Sequence, residues 1–164
     1  MVVILRTLTI VLISRHKVLH AGGLPEQVYR NINTGLPVTT SNDHYWFYQD
    51  GQRSYSWSVS WDLYTYLLTY SGDAKSAGTY SGDIGNNQYN TLSKGDIIGY
   101  NWGDSSEPIT HVAVEVGYGT DPDSGWVGDY VDAHTTNHKH AYWTLQPYNS
   151  KASTTKVKTI SITY

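Results

Sequence analysis

Gly95–Gly117 reads GDIIGYNWGDSSEPITHVAVEVG. A Gly-Asp turn opens an apolar run (Ile97-Ile98-Gly99-Tyr100), a polar stretch from Gly103 to Pro108 breaks it, and the chain returns as Thr110-His111-Val112-Ala113-Val114-Glu115-Val116. The β-branched residues on either side of a Gly/Asp/Ser/Pro loop predict an antiparallel strand pair. His111 falls on the first rung of the returning strand. There the sheet fixes the backbone while the ring faces the loop end, and a rigid backbone with an exposed imidazole is how a general base is commonly held.

A third strand is expected at Trp126 to His134, WVGDYVDAH. Two-residue alternation puts Tyr130, Asp132 and His134 on one of its faces. A histidine heading one strand with a polar residue on its neighbour makes a base-plus-orienter arrangement that lacks only a nucleophile. His134 is the expected orienter and Asp132 the alternative.

The totals narrow the function classes. A chain of 164 residues is long enough for one domain with a real core. Net charge is −3 and there is no basic run, so nucleic acid is not an expected partner. The absence of cysteine excludes disulfides, thiolate metal sites and a cysteine nucleophile in the chain as given. Fifteen tyrosines and six tryptophans stand against one phenylalanine. Aromatic rings with a polar handle suit the half-exposed walls of a polar-ligand cleft. Few charges and abundant Ser, Thr, Asn and Gly are the composition of an exported protein.

Elsewhere along the chain, Val18 to Gln27 reads as a helix end stopped by Gly22-Gly23 and Pro25, and Tyr45 to Tyr48 as a short aromatic strand or turn. Trp57, Trp61, Tyr64 and Leu68 have helical spacing and are expected to form the buried face of a helix over 57–69, with Ser56 or Ser58 as its N-cap. Residues 71–93 read as a turn-rich connection and Thr135 to Tyr142 as a polar loop. Lys156 to Ile162 alternates as a closing strand. Helix first and antiparallel meander after give an α+β fold in which the helix packs on a central antiparallel sheet.

These pieces resemble the putative amidase domain of secreted bacterial proteins, within the papain-like group that includes the NlpC/P60 cell-wall peptidases. The resemblance rests on LHAGG at 19–23, YWFY at 45–48, SVSW at 58–61, GDIIGYNW at 95–102, THV at 110–112 and AHTTN at 133–137, in the family's order. It implies a papain-like (NlpC/P60-type) fold for residues 18–164 and a cysteine-type amidase or peptidase. It further implies a peptide or peptidoglycan-type substrate, an extracellular or cell-wall location, and no cofactor or metal. The domain is expected to be a monomer without a membrane span. His111 matches the family's base. The nucleophile would come from a motif of the form Asp-Cys-Thr-Asn-Phe-x-Ser-Gln at a helix N-terminus, where the helix dipole lowers the thiol pKa.

At that place this sequence reads Ile10-Val11-Leu12-Ile13-Ser14-Arg15-His16-Lys17, with Val11 where the cysteine belongs. Residues 1–17 are aliphatic and basic, unlike anything after them. A signal peptide, with small residues at Ala21-Gly22-Gly23, is one reading, and a buried strand another. The genetic code offers a third. The string GAT TGT ACT AAT TTC GCG TCA CAA encodes Asp-Cys-Thr-Asn-Phe-Ala-Ser-Gln. Read one base later it becomes ATT GTA CTA ATT TCG CGT CAC AA, which encodes residues 10 to 16 in order and supplies the first two bases of a Lys codon for residue 17. Residues 1–17 are therefore read as an out-of-frame segment, with the frame restored near Val18.

Three rivals stand beside this reading. His111, His134, His138 and His140 could ligate zinc, although no HExxH-like helix accompanies them. Ser56, Ser58 or Ser60 could serve as a nucleophile with His111, although no GxSxG elbow is present. A domain without its cysteine could also be a non-catalytic glycan- or peptide-binding module that uses its Tyr/Trp-lined cleft.

Overall fold

The computed structural model describes residues 18–86, 92–103, 106–133 and 138–163. The expectations for residues 1–17 and for His134 lie outside these. The chain divides between Ala74 and Lys75 into two compact units.

In the first unit a helical turn at 18–21 ends as expected at the glycine pair. Gly22 N–H donates to Val18 O at 2.8 Å, Leu24 N–H to Leu19 O at 3.0 Å, and Gly23 takes φ 107°. Tyr48–Gln49 (β1) and Gln52–Arg53 (β2) form a two-stranded hairpin. Asp50 and Gly51 both adopt positive φ at its tip, the geometry that matches strand twist. Trp46 and Phe47, just before β1, are fully buried.

The helix runs over Ser60–Thr65 and continues as a π-helical turn, Tyr66–Tyr70. Its buried residues are Leu63, Tyr66 and Leu67, a different stripe from the expected one. Trp57 is buried, but from a turn ahead of the helix, where Trp57 N–H donates to Ser54 O. The helical period therefore cannot be counted from it. Trp61 and Tyr64 are half-buried and stack on each other at 5.4 Å. The N-cap is Val59, with no side-chain cap, because Ser58 Oγ donates instead to the carbonyls of Ser54 and Tyr55.

The second unit is a six-stranded sheet, largely antiparallel, in the order β3-β8-β4-β5-β6-β7. The strands are Ala74–Ser81 (β3), Ile97–Asn101 (β4), His111–Thr120 (β5), Val127–Ala133 (β6), His138–Tyr142 (β7) and Lys156–Ile162 (β8). With few helices among the described residues, the fold is α+β. The hairpin, the third strand and the closing strand stand where the sequence puts them.

Two strands correct the sequence reading. Residues 74–81 are an edge strand and not a connection. Its small polar residues are mostly exposed, while Tyr80 packs edge-to-face on Trp143 at 5.2 Å. Residues 138–142 are a strand and not a loop. Ala141 and Tyr142 are buried against the sheet despite the polar run before them.

One face of the sheet carries Ile98, Tyr100, Ala113, Val131, Ala141 and Val157, and Tyr142, Trp143 and Leu145 complete this core. On the other face Gly99 lies against Ile109; a Cβ there would meet Ile109 Cδ1 at 2.7 Å. No helix among the described residues is long and apolar enough to cross a membrane.

Candidate active site

His111 opens β5 directly across from Tyr100 of β4, so both side chains project from the same face. The sheet register fixes its backbone. Thr110, just before it, ties back to Tyr100 O through its N–H at 2.8 Å and its hydroxyl at 3.1 Å. The expected exposure of the imidazole is not found: His111 is buried, with 8% of its surface exposed, because neighbouring aromatic rings pack over it. Its ring meets two aromatics, Tyr100 at 6.0 Å and Trp102 at 5.7 Å between centroids. Those two stack nearly parallel, 5.1 Å apart with 10° between planes. Tyr100 is anchored beneath, its hydroxyl donating to Trp143 O at 2.8 Å.

The register also places Asp132. It pairs with Val114, three residues along β5 from His111, and strand alternation sends positions 111 and 114 to opposite faces. Asp132 is exposed and its carboxylate accepts the N–H of His140 at 3.0 Å. It therefore does not orient His111. Tyr130 shares the Asp132 face as expected, its ring stacked on His140 at 4.8 Å.

The rival sites look different at this level. His111 stands among Tyr100 and Trp102 while His140 stacks on Tyr130, so these two members of the proposed zinc set have separate neighbours. Among the described residues no group of three His, Cys, Asp or Glu side chains is placed to hold a metal. Ser56 is fully buried, its hydroxyl donating to Tyr45 O and sharing a 2.8 Å hydrogen bond with Ser54 Oγ. Ser56 and Ser58 thus have structural roles.

The sequence reading missed Glu115. The signal was present, since VAVEVG puts a carboxylate inside an apolar strand. Glu115 shares the His111 face, four residues further along β5, and is buried together with Asp96 and Asp129. Burial, then the neighbouring Asp129 and Asp96 charges, push its carboxyl up to about 7 against the opposing pull of the Gly117 N–H and Lys94. Its Oε2 has no hydrogen-bond partner among the described residues.

The sign of the linkage follows. Between about pH 4.5 and 7 the folded state holds a proton at Glu115 that the unfolded chain has released, so this group's contribution to stability declines as pH rises through that window. Glu115→Gln should therefore raise stability by about 2 kcal/mol at pH 8 and change it little at pH 4. Urea unfolding at the two pH values checks this.

The described residues form an α+β fold in which a buried imidazole heads one strand of a largely antiparallel sheet. The chain belongs to the putative amidase domain family, whose sequence profile matches residues 13–157. The match begins past Val11. Neither a curated protein nor a solved structure matches the chain.

Proposed function

We propose that this domain is a cysteine-type amidase or peptidase of the papain-like, NlpC/P60 kind, secreted or cell-wall associated, that hydrolyses peptide amide bonds in a peptidoglycan-type substrate. His111 is the base and His134 its orienter, which requires the chain to leave strand alternation beyond Ala133, next to the register shift between Val131 and Ala133, so that His134 reaches the His111 face and Asp132 does not. The observation that supports this most is the setting of His111: a strand-fixed imidazole packed on two stacked aromatics, in a chain that belongs to an amidase family. The chain as given, with Val11 in place of the cysteine, is inactive, and residues 1–17 are an out-of-frame reading of the nucleophile segment.

A binding-module reading has its own observation. Tyr29, Tyr48 and Tyr55 of the first unit are each more than two-fifths exposed, and Tyr48 stacks on Trp57 at 5.9 Å, so aromatic faces are open to a sugar or peptide. One experiment separates the readings. The given chain and a chain with residues 10–17 replaced by Asp-Cys-Thr-Asn-Phe-Ala-Ser-Gln are assayed on peptide and muropeptide amides. Turnover by the restored chain alone, abolished by iodoacetamide, supports the amidase. Binding without turnover by both chains supports the module.

A further inference from the structure

We propose that Trp102 is the positioning residue for His111: its indole fixes the orientation of the imidazole and stabilises that ring when it carries a proton. Trp102 sits where β4 ends, in a turn held from both sides. Asn101 bridges it, donating through Nδ2 to Glu107 O at 2.8 Å and accepting the Gly103 N–H at Oδ1, also at 2.8 Å. Gly103 has φ 82°, and a Cβ there would meet Thr154 O at 2.8 Å, so the turn presses on the Thr154 backbone in a way that only glycine permits. Thr154 Oγ1 in turn donates to Trp102 O at 3.3 Å. The backbone of Trp102 is thus tied to the far side of its own loop and to the segment before β8.

The half-buried indole is held by stacking. Tyr100 is fully buried and hydrogen-bonded to Trp143 O, and the indole stacks on it almost parallel. An indole held by its neighbour and its turn, 5.7 Å from the imidazole, lies within the range at which a cation is attracted to a π face. The orientation of His111 therefore does not depend on a hydrogen-bonding partner alone. Among the titratable groups of the described residues on this face of the sheet, Tyr100 touches the imidazole, while Glu115, its neighbour Asp96 and Asp129 lie at the other end, about 13 Å along the strand. Lys156, Lys158 and Asp132 pair with Asn101, Gly99 and Val114, which places them on the opposite face. Glu107 is exposed on the loop.

The meaning of this for activity rests on His111 being the base, but the test does not need activity. His111 is titrated by NMR in the full-length chain and in Trp102→Leu, its signal assigned from its loss in His111→Gln. Removing the indole should lower the proton affinity of the imidazole about two- to fivefold. Trp102→Phe, which keeps a weaker aromatic face, should restore about half of that loss and no more. An unchanged affinity in a folded Trp102→Leu protein overturns the proposal. Should that variant not fold, Trp102→Phe decides: a fall of up to about twofold is expected, and none overturns the proposal. Amidase activity that needs His111, together with an unchanged titration in the Trp102 variants, would sink this inference and leave the amidase reading standing. A shifted titration in a restored chain without turnover would do the reverse.

Discussion

Asp121→Ala should cost about 3 kcal/mol. Asp121 is 1% exposed, yet its carboxylate is saturated with donors. Oδ1 accepts the N–H groups of Asp123 at 3.0 Å and Ser124 at 3.2 Å and the hydroxyl of Tyr148, while Oδ2 accepts the N–H of Tyr142 at 2.8 Å. One side chain thus joins the turn after β5, the edge strand β7 and the short 3-10 turn Gln146–Tyr148. Truncation leaves the buried Tyr142 N–H without its acceptor, and an orphaned buried donor costs more than the bond itself contributed.

The pH dependence has a definite sign. Burial pushes this carboxyl upward, but the Tyr148 hydroxyl and the Tyr142, Ser124 and Asp123 N–H groups outweigh it and hold the carboxyl below its ordinary value. A lowered folded pKa contributes stability that is complete above the unfolded carboxyl range and is lost as pH falls through the folded value. Asp121→Asn should erase that acid-side dependence while costing less at neutral pH than the alanine variant. Urea unfolding at pH 7 and acid titration of all three proteins measure both effects. Glu115, on the same sheet, works in the opposite direction, and so the two variants should displace opposite limbs of the stability–pH curve.

The hairpin, third strand and closing strand were legible because each is a local pattern: alternation or a β-branched run between turn residues. The position of His111 at the head of β5 was legible because a polar residue on the first rung of an apolar strand contradicts that pattern. What stayed hidden depends on partners remote in sequence. Residues 74–81 are weak strand formers, held as an edge by their neighbour β8 and by Tyr80 on Trp143. Strand β7 contains His140 at φ 59°, a conformation that alternation cannot anticipate, beside an irregularity in its pairing with β6. Asp121 reads as an ordinary turn aspartate until Tyr142 and Tyr148 converge on it. The helix expected over 57–69 exists but begins only at Ser60, and its buried stripe differs from the expected one, because Trp57 looks helical by spacing but belongs to the turn ahead.

The last expected result is a gain of chemistry. The chain as given should show no amide hydrolysis, since a histidine base without a thiol has nothing to activate and Val11 offers only methyl groups. Restoring Asp-Cys-Thr-Asn-Phe-Ala-Ser-Gln over residues 10–17 should produce an iodoacetamide-reactive thiol, raise thermal stability and give measurable turnover of a peptide or muropeptide amide. A thiol at a helix N-terminus is expected to ionise below the ordinary cysteine range, so its alkylation rate should already be high at neutral pH. His111→Ala in the restored chain should then lower the rate by a factor of about 10²–10⁴, the range for loss of a general base, without removing the thiol. These arms fail separately. Turnover by the unrestored chain would remove the cysteine from the mechanism. A restored chain with no reactive thiol would remove the reading frame argument. A reactive thiol whose hydrolysis ignores His111 would leave an amidase but take the base away from β5. The coding sequence across codons 1 to 20 provides an independent check, because a shifted frame must carry a TGT made of the last base of the Ile10 codon and the first two bases of the Val11 codon.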